Sequence, residues 1–490
     1  MPNKKNLLLI MMDEIQLETL SCHGAASHKT PNIDKLASES RWFVNTRTAS
    51  PLCLPSRVSI ATGLYPHTTG SISNGFGISM DKKLPSLFNV LHSNGYRNSM
   101  AGKCHFVRVP YGDVSLTHTK ECTHTRDYYL SLGIDRLYLQ DGNAVSAWYY
   151  DDYAREMEEA GLLAGYRKMV NDRSYQCIFD FPGPERMHPD CRVGAKAVEM
   201  IKSSSRVNEF LWVSFSGPHY PINTPVSYLD RVDMSKAVPR RIKDGEWDDG
   251  TKAHHISYHG PRGTDASGYV KDGAQKNFTE EYWNKWRQRY FANIVLLDDQ
   301  IGEIIAAADE KWGENYITVL TADHGDLAGN HSLWGKNGAM YEDVLKVPLM
   351  IKDAGSKRRE IIETPVSTVD IFPTCLDMLG LSPVSCEGIS LAGEFNEREI
   401  FLSEMDDCFC LIKDNLKLVI SDFKKFGTPE VFTELYDLKN DPHEFNNLLN
   451  DEGYKGRLDA MLAEYARINE KHDFNKTVFL SDGEKPYWYA

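Results

Sequence analysis

The chain has 490 residues, 41% hydrophobic and 25% charged, with ten cysteines and a formal net charge of −14. This is the composition of a globular protein, long enough for two domains or one large domain with a smaller partner. The acidic balance argues against nucleic acid as a partner and against steering an anionic polymer by overall charge, and cysteines scattered without paired spacing argue against a disulfide framework.

Lys4-Lys5 precedes the apolar run Leu7-Leu8-Leu9-Ile10-Met11-Met12, which superficially resembles a signal peptide. The run meets Asp13-Glu14 directly and has no small-residue cleavage site. It is also too short to span a membrane. A first strand buried on both faces of a parallel sheet is the better reading, and a cytoplasmic protein without membrane association is expected from it. Thr30-Pro31 starts a helix, with Thr30 as N-cap and Pro31 at the first helical position, and Ile33, Leu36 and Ala37 on its apolar face. Trp42-Phe43-Val44 reads as a strand. Pro55 and Ser56 open an apolar helical run (Val58, Ile60, Ala61), which puts Cys53 just before a helix N-terminus. Ser86 caps a further helix with Leu87, Val90 and Leu91 inward and Gly95 as its stop. A short strand through Met100 leads to Gly102-Lys103-Cys104-His105.

Residues 110–180 are rich in tyrosine (Tyr128, Tyr129, Tyr138, Tyr149, Tyr150, Tyr153) and read as an insertion over the sheet's C-terminal edge. Those rings either pack or line a substrate pocket. Helical pattern returns at 194–201, followed by a buried strand at 210–215 that ends at Gly217-Pro218-His219. Residues 225–275, with His254, His255 and His259, read as a solvated loop region. Adjacent His254 and His255 point different ways in regular structure, which disfavours a two-histidine metal site. Residues 279–309 form a long helix with Tyr290, Ile294, Leu297 and Ile301 at helical spacing. A strand at 316–322 precedes Asp323-His324-Gly325-Asp326, another lies at 347–351, and 368–379 is helical.

Near residue 385 the pattern changes to short strands at 400–402, 410–412 and 417–420, an antiparallel sheet, and then a last helix at about 454–468. The expected division is a catalytic domain over 1–384 and a C-terminal subdomain over 385–490. The tail Trp488-Tyr489-Ala490 either folds over its own chain or meets a neighbouring subunit, which would make a homo-oligomer.

Asp13, Lys103 with His105, His219, and Asp323 with His324 each follow a predicted strand. In an open α/β sheet, ligands bind outside the carboxyl ends of the strands, so these four clusters are expected to meet on one edge. Carboxylates with one imidazole suit a hard divalent cation better than zinc.

The stretch Ser50-Pro51-Leu52-Cys53-Leu54-Pro55-Ser56-Arg57, followed by Ala61-Thr62-Gly63-Leu64-Tyr65-Pro66, resembles the C-x-P-S-R signature of type I sulfatases in the alkaline-phosphatase-like superfamily. A lone cysteine is usually a small buried hydrophobe; here a helix N-terminus, with free N–H groups and a positive dipole, favours an anion beside it. The resemblance implies an α/β fold, a large mostly parallel central sheet flanked by helices, with a smaller C-terminal α+β subdomain carrying an antiparallel sheet. Glu434-Leu435-Tyr436-Asp437-Leu438, Asp441-Pro442 and Glu444 resemble that subdomain. It implies oxidation of Cys53 to Cα-formylglycine by a maturation enzyme, and Ca²⁺ (with Mg²⁺ or Mn²⁺ as alternatives) held by Asp13, Glu14, Asp323 and His324. Glu14 departs from the commoner Asp-Asp of the family. Arg57, Lys103, His105, His219 and Lys336 match catalytic positions, and Asn74 in Ser73-Asn74-Gly75 matches a substrate- or metal-side residue. In the implied reaction the hydrated aldehyde attacks sulfur, His219 or Lys336 protonates the leaving alcohol, and His105 accepts the proton that releases sulfate.

The expected activity is hydrolysis of a sulfate ester, either a small molecule or an oligosaccharide, with a sulfated sugar first and an aryl or choline-like sulfate second. Phosphonate monoester or phosphodiester hydrolysis is the alternative, since the site can hold either tetrahedral anion. A non-catalytic protein that only binds sulfated glycans would lack catalytic groups, and every such position here is filled.

Overall fold

The computed structural model describes residues 4–472 except 75–78, 108–122, 144, 149, 172–177, 206, 249, 254–277, 337–338, 406–407 and 423–430. The first apolar run is strand β1 (Asn6–Asp13), buried throughout. Its side chains alternate between two cores: Leu8, Ile10 and Met12 enter one, and Leu7, Leu9 and Met11 the other. That alternation is what a strand covered on both faces requires. The helices Pro189–Lys202 and Glu280–Trp312 close the first core, and the helices Cys53–Thr62 and Ile371–Met378 close the second.

The other strands of this sheet are β2 (Arg41–Arg47), β3 (Arg97–Gly102), β4 (Arg136–Leu139), β5 (Glu209–Pro218), β6 (Tyr316–Ala322), β7 (Lys346–Lys352), β8 (Glu360–Ile362) and β9 (Val366–Ser367). Their order is β4-β3-β5-β1-β6-β7-β2-β8, with β9 beside β2. Pairing is parallel from β4 through β6; β7 runs antiparallel to both of its neighbours. The mostly parallel central sheet is therefore present, and β3, β5, β1 and β6 deliver their C-terminal ends to a common edge.

A second sheet, antiparallel, comprises β10 (Phe401–Met405), β11 (Cys408–Lys413), β12 (Leu416–Asp422) and β13 (Val431–Asp437). The helix Lys455–His472 covers it through Met461 and Ile468, which pack with Phe409, Leu411, Leu418 and Leu435. A buried ionic network joins the two sheets. Glu342 takes Arg47 of β2 at 2.7 Å and Lys417 of β12 at 3.5 Å, and Lys417 reaches Glu444 at 2.7 Å.

Three local readings need correction. Cys53 is the first residue of its helix, not the residue before it, because the helix starts directly after Leu52. Thr30 stands at the N-cap position, but its hydroxyl bonds Ser21 and Asp34 instead of a helix N–H; a closer tertiary partner wins over the local cap. Residues 110–180 are not simply an insertion over the edge, since they supply β4 and extend the sheet. There the packing reading of the tyrosines holds for Tyr129, Tyr138 and Tyr153, which are buried in the two cores. Tyr149, His254, His255, His259 and the aromatic tail lie outside the described residues. Among the described residues, eight cysteines are free thiols, and no helix is long and apolar enough to cross a membrane.

Candidate active site

The site is built on the shared edge of the central sheet. β1 ends at Asp13, and its register against β5 shifts between Met11 and Asp13. Glu14 follows with φ at 65°, a left-handed conformation that costs a residue with a side chain on the order of 1–3 kcal/mol. The Tyr290 hydroxyl pins it there: it donates to the Glu14 carbonyl at 2.6 Å and accepts from the Gln16 N–H at 2.8 Å. The Glu14 N–H donates to Asp323 Oδ1 at 3.1 Å, joining the ends of β1 and β6.

Cys53 opens a helix that is buried on all sides. Its Sγ lies 3.2 Å from His324 Nε2 and 3.8 Å from Asp13 Oδ1. Burial alone would push the thiol up, but Lys103, Lys336 and His324, with a hydrogen bond to His105, hold it well below its ordinary value. Asn74 Oδ1 accepts the Leu54 N–H at 3.0 Å, so Asn74 satisfies the helix end beside Cys53, where Leu52 provides no side-chain cap.

Arg57 is fully buried and is the central cation. It bridges Asp13 Oδ2 at 3.1 Å and Asp323 Oδ2 at 3.0 Å, and also donates to the Lys103 carbonyl and Ser214 Oγ. The Lys103 ammonium pairs with the same Asp13 oxygen. Burial and the Cys53 sulfur oppose ionisation of Asp13, but Lys103, His219 and Arg57 outweigh them and lower its pKa to about 2. His324 goes the other way from an ordinary buried imidazole: burial lowers it, and Asp323 brings it up to about 9. Its Nδ1 faces the Gly325 carbonyl at 3.0 Å.

On the far side of Asp13, Glu14 Oε2 meets His219 Nε2 at 3.2 Å and Lys336 Nζ at 3.3 Å. Those two nitrogens are 2.9 Å apart. Tyr220 lies against the His219 ring, with centroids 4.3 Å apart, and beneath the Lys336 ammonium. His105 is also held in the left-handed region, φ 49°, and burial lowers the pKa of its ring, leaving it neutral near pH 7.

The structure thus brings Asp13, Glu14, Cys53, Arg57, Lys103, His219, Asp323, His324 and Lys336 into one cluster, with His105 beside Cys53 and Asn74 beneath it. Two overlapping sets of ligand atoms face one another: Asp13, Cys53, Asp323 and His324, and Asp13, Glu14 and His219. Among the described residues, the buried Glu14 Oε1 has no hydrogen-bond partner. An orphaned carboxylate oxygen beside two further carboxylates fits a divalent cation.

Sequence reasoning missed the carboxylates that set the loops. Asp141 accepts the N–H groups of Cys104 and His105 and the Tyr129 hydroxyl. Asp190 accepts those of Ser216 and Gly217, just before His219; burial raises its pKa to about 6. Asp326 accepts those of Ala328 and Gly335, next to Lys336. Of the three, Asp326 carried a signal in sequence, since it stands in the Asp-His-Gly-Asp cluster.

Comparison with known proteins agrees with this geometry. The family profile "Sulfatase" matches residues 5–381, and that of the "N-sulphoglucosamine sulphohydrolase, C-terminal" region matches 329–471. The chain belongs to the sulfatase family. It is similar to the uncharacterized sulfatase YidJ of Escherichia coli (27% identical, covering 91% of this chain and 84% of the relative) and to an arylsulfatase of Clostridium perfringens (27%, covering 94% and 93%). Among solved structures, the phosphonate monoester hydrolase of Agrobacterium radiobacter superposes with a TM-score of 0.78 at 20% identity, covering 96% of each chain; that likeness speaks to the fold. Family, fold and site together define a sulfatase-type hydrolase acting on sulfate esters, with a formylglycine-type active site beside a cluster able to hold a divalent metal.

Proposed function

We propose that the chain releases sulfate from a small organic sulfate, a sulfated sugar first and an aryl or choline-like sulfate second. The observation that carries this is the three-way contact of Glu14, His219 and Lys336 across Asp13 from Cys53. Two basic groups share one carboxylate oxygen there, so the cluster can hold a proton where a leaving alcohol needs one. His219 and Lys336 are the acid side. Neutral His105, beside Cys53, is the base that accepts the proton for sulfate release. Arg57 fixes both aspartates, and Lys103 and the helix N-terminus offset charge on the sulfuryl oxygens. Asn74 holds the nucleophile's helix.

Asp13, Glu14, Asp323 and His324 would hold the cation, which we assign as Ca²⁺ because the donors are mainly oxygen. It supplies Lewis-acid stabilisation of the sulfuryl group, and the oxidised Cys53 supplies the nucleophilic hydroxyl. On this reading residues 1–384 are the catalytic domain and 385–490 the supporting subdomain. The free thiols among the described residues support a cytoplasmic setting, and the chain depends on a maturation enzyme.

Rates on a sulfate monoester and a phosphonate monoester with the same leaving group test this, on protein whose tryptic peptide 48–57 has the mass of the aldehyde. The sulfate ester is expected to turn over faster; a faster phosphonate ester overturns the reading. A chelator should abolish turnover and Ca²⁺ should restore it better than Mg²⁺ or Mn²⁺. In His219→Ala, turnover should fall on the order of 10²–10⁴-fold for an alkyl sulfate and far less for an ester with an acidic leaving group.

A further inference from the structure

The cluster around Cys53 has a second chemistry in the thiol form of the chain. Cys53 Sγ, His324 Nε2, Asp13 Oδ1 and Asp323 Oδ1 all face one another. The separations are 3.2 Å from sulfur to the imidazole nitrogen, 3.8 Å from sulfur to Asp13, and 3.8 and 3.7 Å from that nitrogen to Asp13 and Asp323. Ligand atoms placed tetrahedrally around zinc at its usual bond lengths stand roughly 3.3–3.6 Å apart. These four separations lie within about half an ångström of those values, and all the ligand atoms of the set lie within 4.8 Å of one another, so a modest contraction closes them on an ion.

Asp323 Oδ1 accepts the Glu14 and His324 N–H groups at 3.1 and 2.9 Å, the kind of hydrogen bonding that orients a ligating carboxylate. Arg57 and Lys103 take Asp13 Oδ2, and Arg57 takes Asp323 Oδ2, so the cations lie on the oxygens away from the sulfur. His324 Nδ1 is 3.0 Å from the Gly325 carbonyl. A carbonyl can only accept, so Nδ1 keeps its proton and an entering ion displaces the one on Nε2, the arrangement that orients a metal-binding histidine. A hard cation gains little from this set. Calcium needs six to eight oxygen ligands, whereas a thiolate with an imidazole and carboxylates is a borderline-soft set that selects zinc.

We propose that the chain with Cys53 unconverted binds zinc through Cys53, His324, Asp13 and Asp323, and that conversion by the maturation enzyme, in which Cβ gives two electrons to an external oxidant, the C–S bond breaks with sulfur leaving as sulfide and a C=O bond forms with oxygen from water or dioxygen, turns the same cradle over to a hard cation. Cys53 would then decide which metal the protein carries as well as serving as the nucleophile's precursor. Zinc binding would release the proton held by the Cys53–His324 pair. The inference rests on the thiol-form geometry and not on the identity of the ester.

The test uses full-length chain made without a maturation enzyme, its thiol verified by the mass of peptide 48–57. Zn²⁺ affinity is measured by competition with a chromophoric chelator, and Co²⁺ serves as a spectroscopic stand-in. Expected are one zinc lost on Cys53→Ser, with affinity at that site reduced on the order of 100-fold, an ultraviolet thiolate-to-cobalt charge-transfer band, and no displacement of zinc by excess Ca²⁺. Absence of that band, or an unchanged affinity in Cys53→Ser, overturns the proposal. If Cys53→Ser does not fold, the aldehyde-bearing chain is the comparison: it should lack both the band and the tight zinc. Inactivity of the converted enzyme toward sulfate esters would leave these readouts unchanged, so the two readings fail separately.

Discussion

Asn74 Oδ1 accepts the backbone N–H of Leu54 at 3.0 Å, so a residue from the next loop closes the helix that begins with Cys53. Removing it strands a buried donor. Asn74→Ala should lower unfolding free energy by about 1–3 kcal/mol, measured by urea titration. It should reduce kcat more than KM, because the nucleophile's helix shifts while the charged groups remain. A rise in KM with kcat intact would instead mean that Asn74 contacts substrate.

Asp141 holds the loop carrying Lys103 and His105 by accepting the Cys104 and His105 N–H groups at 3.0 and 3.2 Å. Burial raises its own pKa, a cost retained for the sake of loop geometry. Asp141→Ala should cut kcat on the order of 10²-fold, the usual effect of misplacing catalytic groups by about 1 Å. Tyr129→Phe, which deletes only the hydroxyl at 3.1 Å from Asp141, should cost about 1 kcal/mol of stability and leave kcat within a few-fold. Steady-state kinetics on the two variants separates these effects.

His67 ties the Pro66–Thr69 turn to the second sheet, with Nδ1 2.6 Å from Glu404 Oε1 and Nε2 3.5 Å from Glu387 Oε1. Burial would lower its pKa, but hydrogen bonds to Glu387 and Glu404 raise it from 6.5 to about 9. A folded-state value above the unfolded one gives stability that is complete below about 6.5 and lost as pH rises through about 9, amounting to ~3 kcal/mol. The stability gap between the native chain and His67→Gln should therefore be widest below pH 6.5 and shrink steadily toward pH 9. A gap that widens with pH contradicts this assignment.

Lys417, fully buried on β12, faces Glu342 and Glu444. Two residues beyond Glu342, the Val344 carbonyl accepts the Gly325 N–H at 2.8 Å, where a Cβ on Gly325 would lie 2.1 Å from the Asp343 carbonyl oxygen. Lys417→Met leaves the buried Glu444 without its cation beside Glu342, which keeps Arg47, and should destabilise by about 3–5 kcal/mol. Adding Glu444→Gln should recover part of that loss, because the two sites are coupled. Urea unfolding of the single and double variants checks both.

Strand ends were legible in sequence. The continuous apolar run of β1 followed by Asp13, and the run of β6 followed by Asp323 and His324, declare buried strands with polar groups at their C-terminal ends, and parallel pairing carries those groups to one edge. The signature around Cys53 and Arg57 was legible because it is contiguous. Local hydrogen bonding was less so: Thr30 was placed correctly but finds Ser21 and Asp34.

Sequence alone pointed to the family, the mostly parallel sheet and most of the residues that gather at its edge, since periodicity and contiguous motifs are properties of neighbouring residues. Only tertiary structure decided what holds those groups in place. The Glu14 N–H meets Asp323 across 309 positions of chain, and Lys336 meets Glu14 across 322. Asp141 and Asp190 look like ordinary solvated acids until folding buries them against the N–H groups of other loops. Burial makes such partners obligatory, because an unpaired buried polar group is expensive, and burial is a property of the assembled fold.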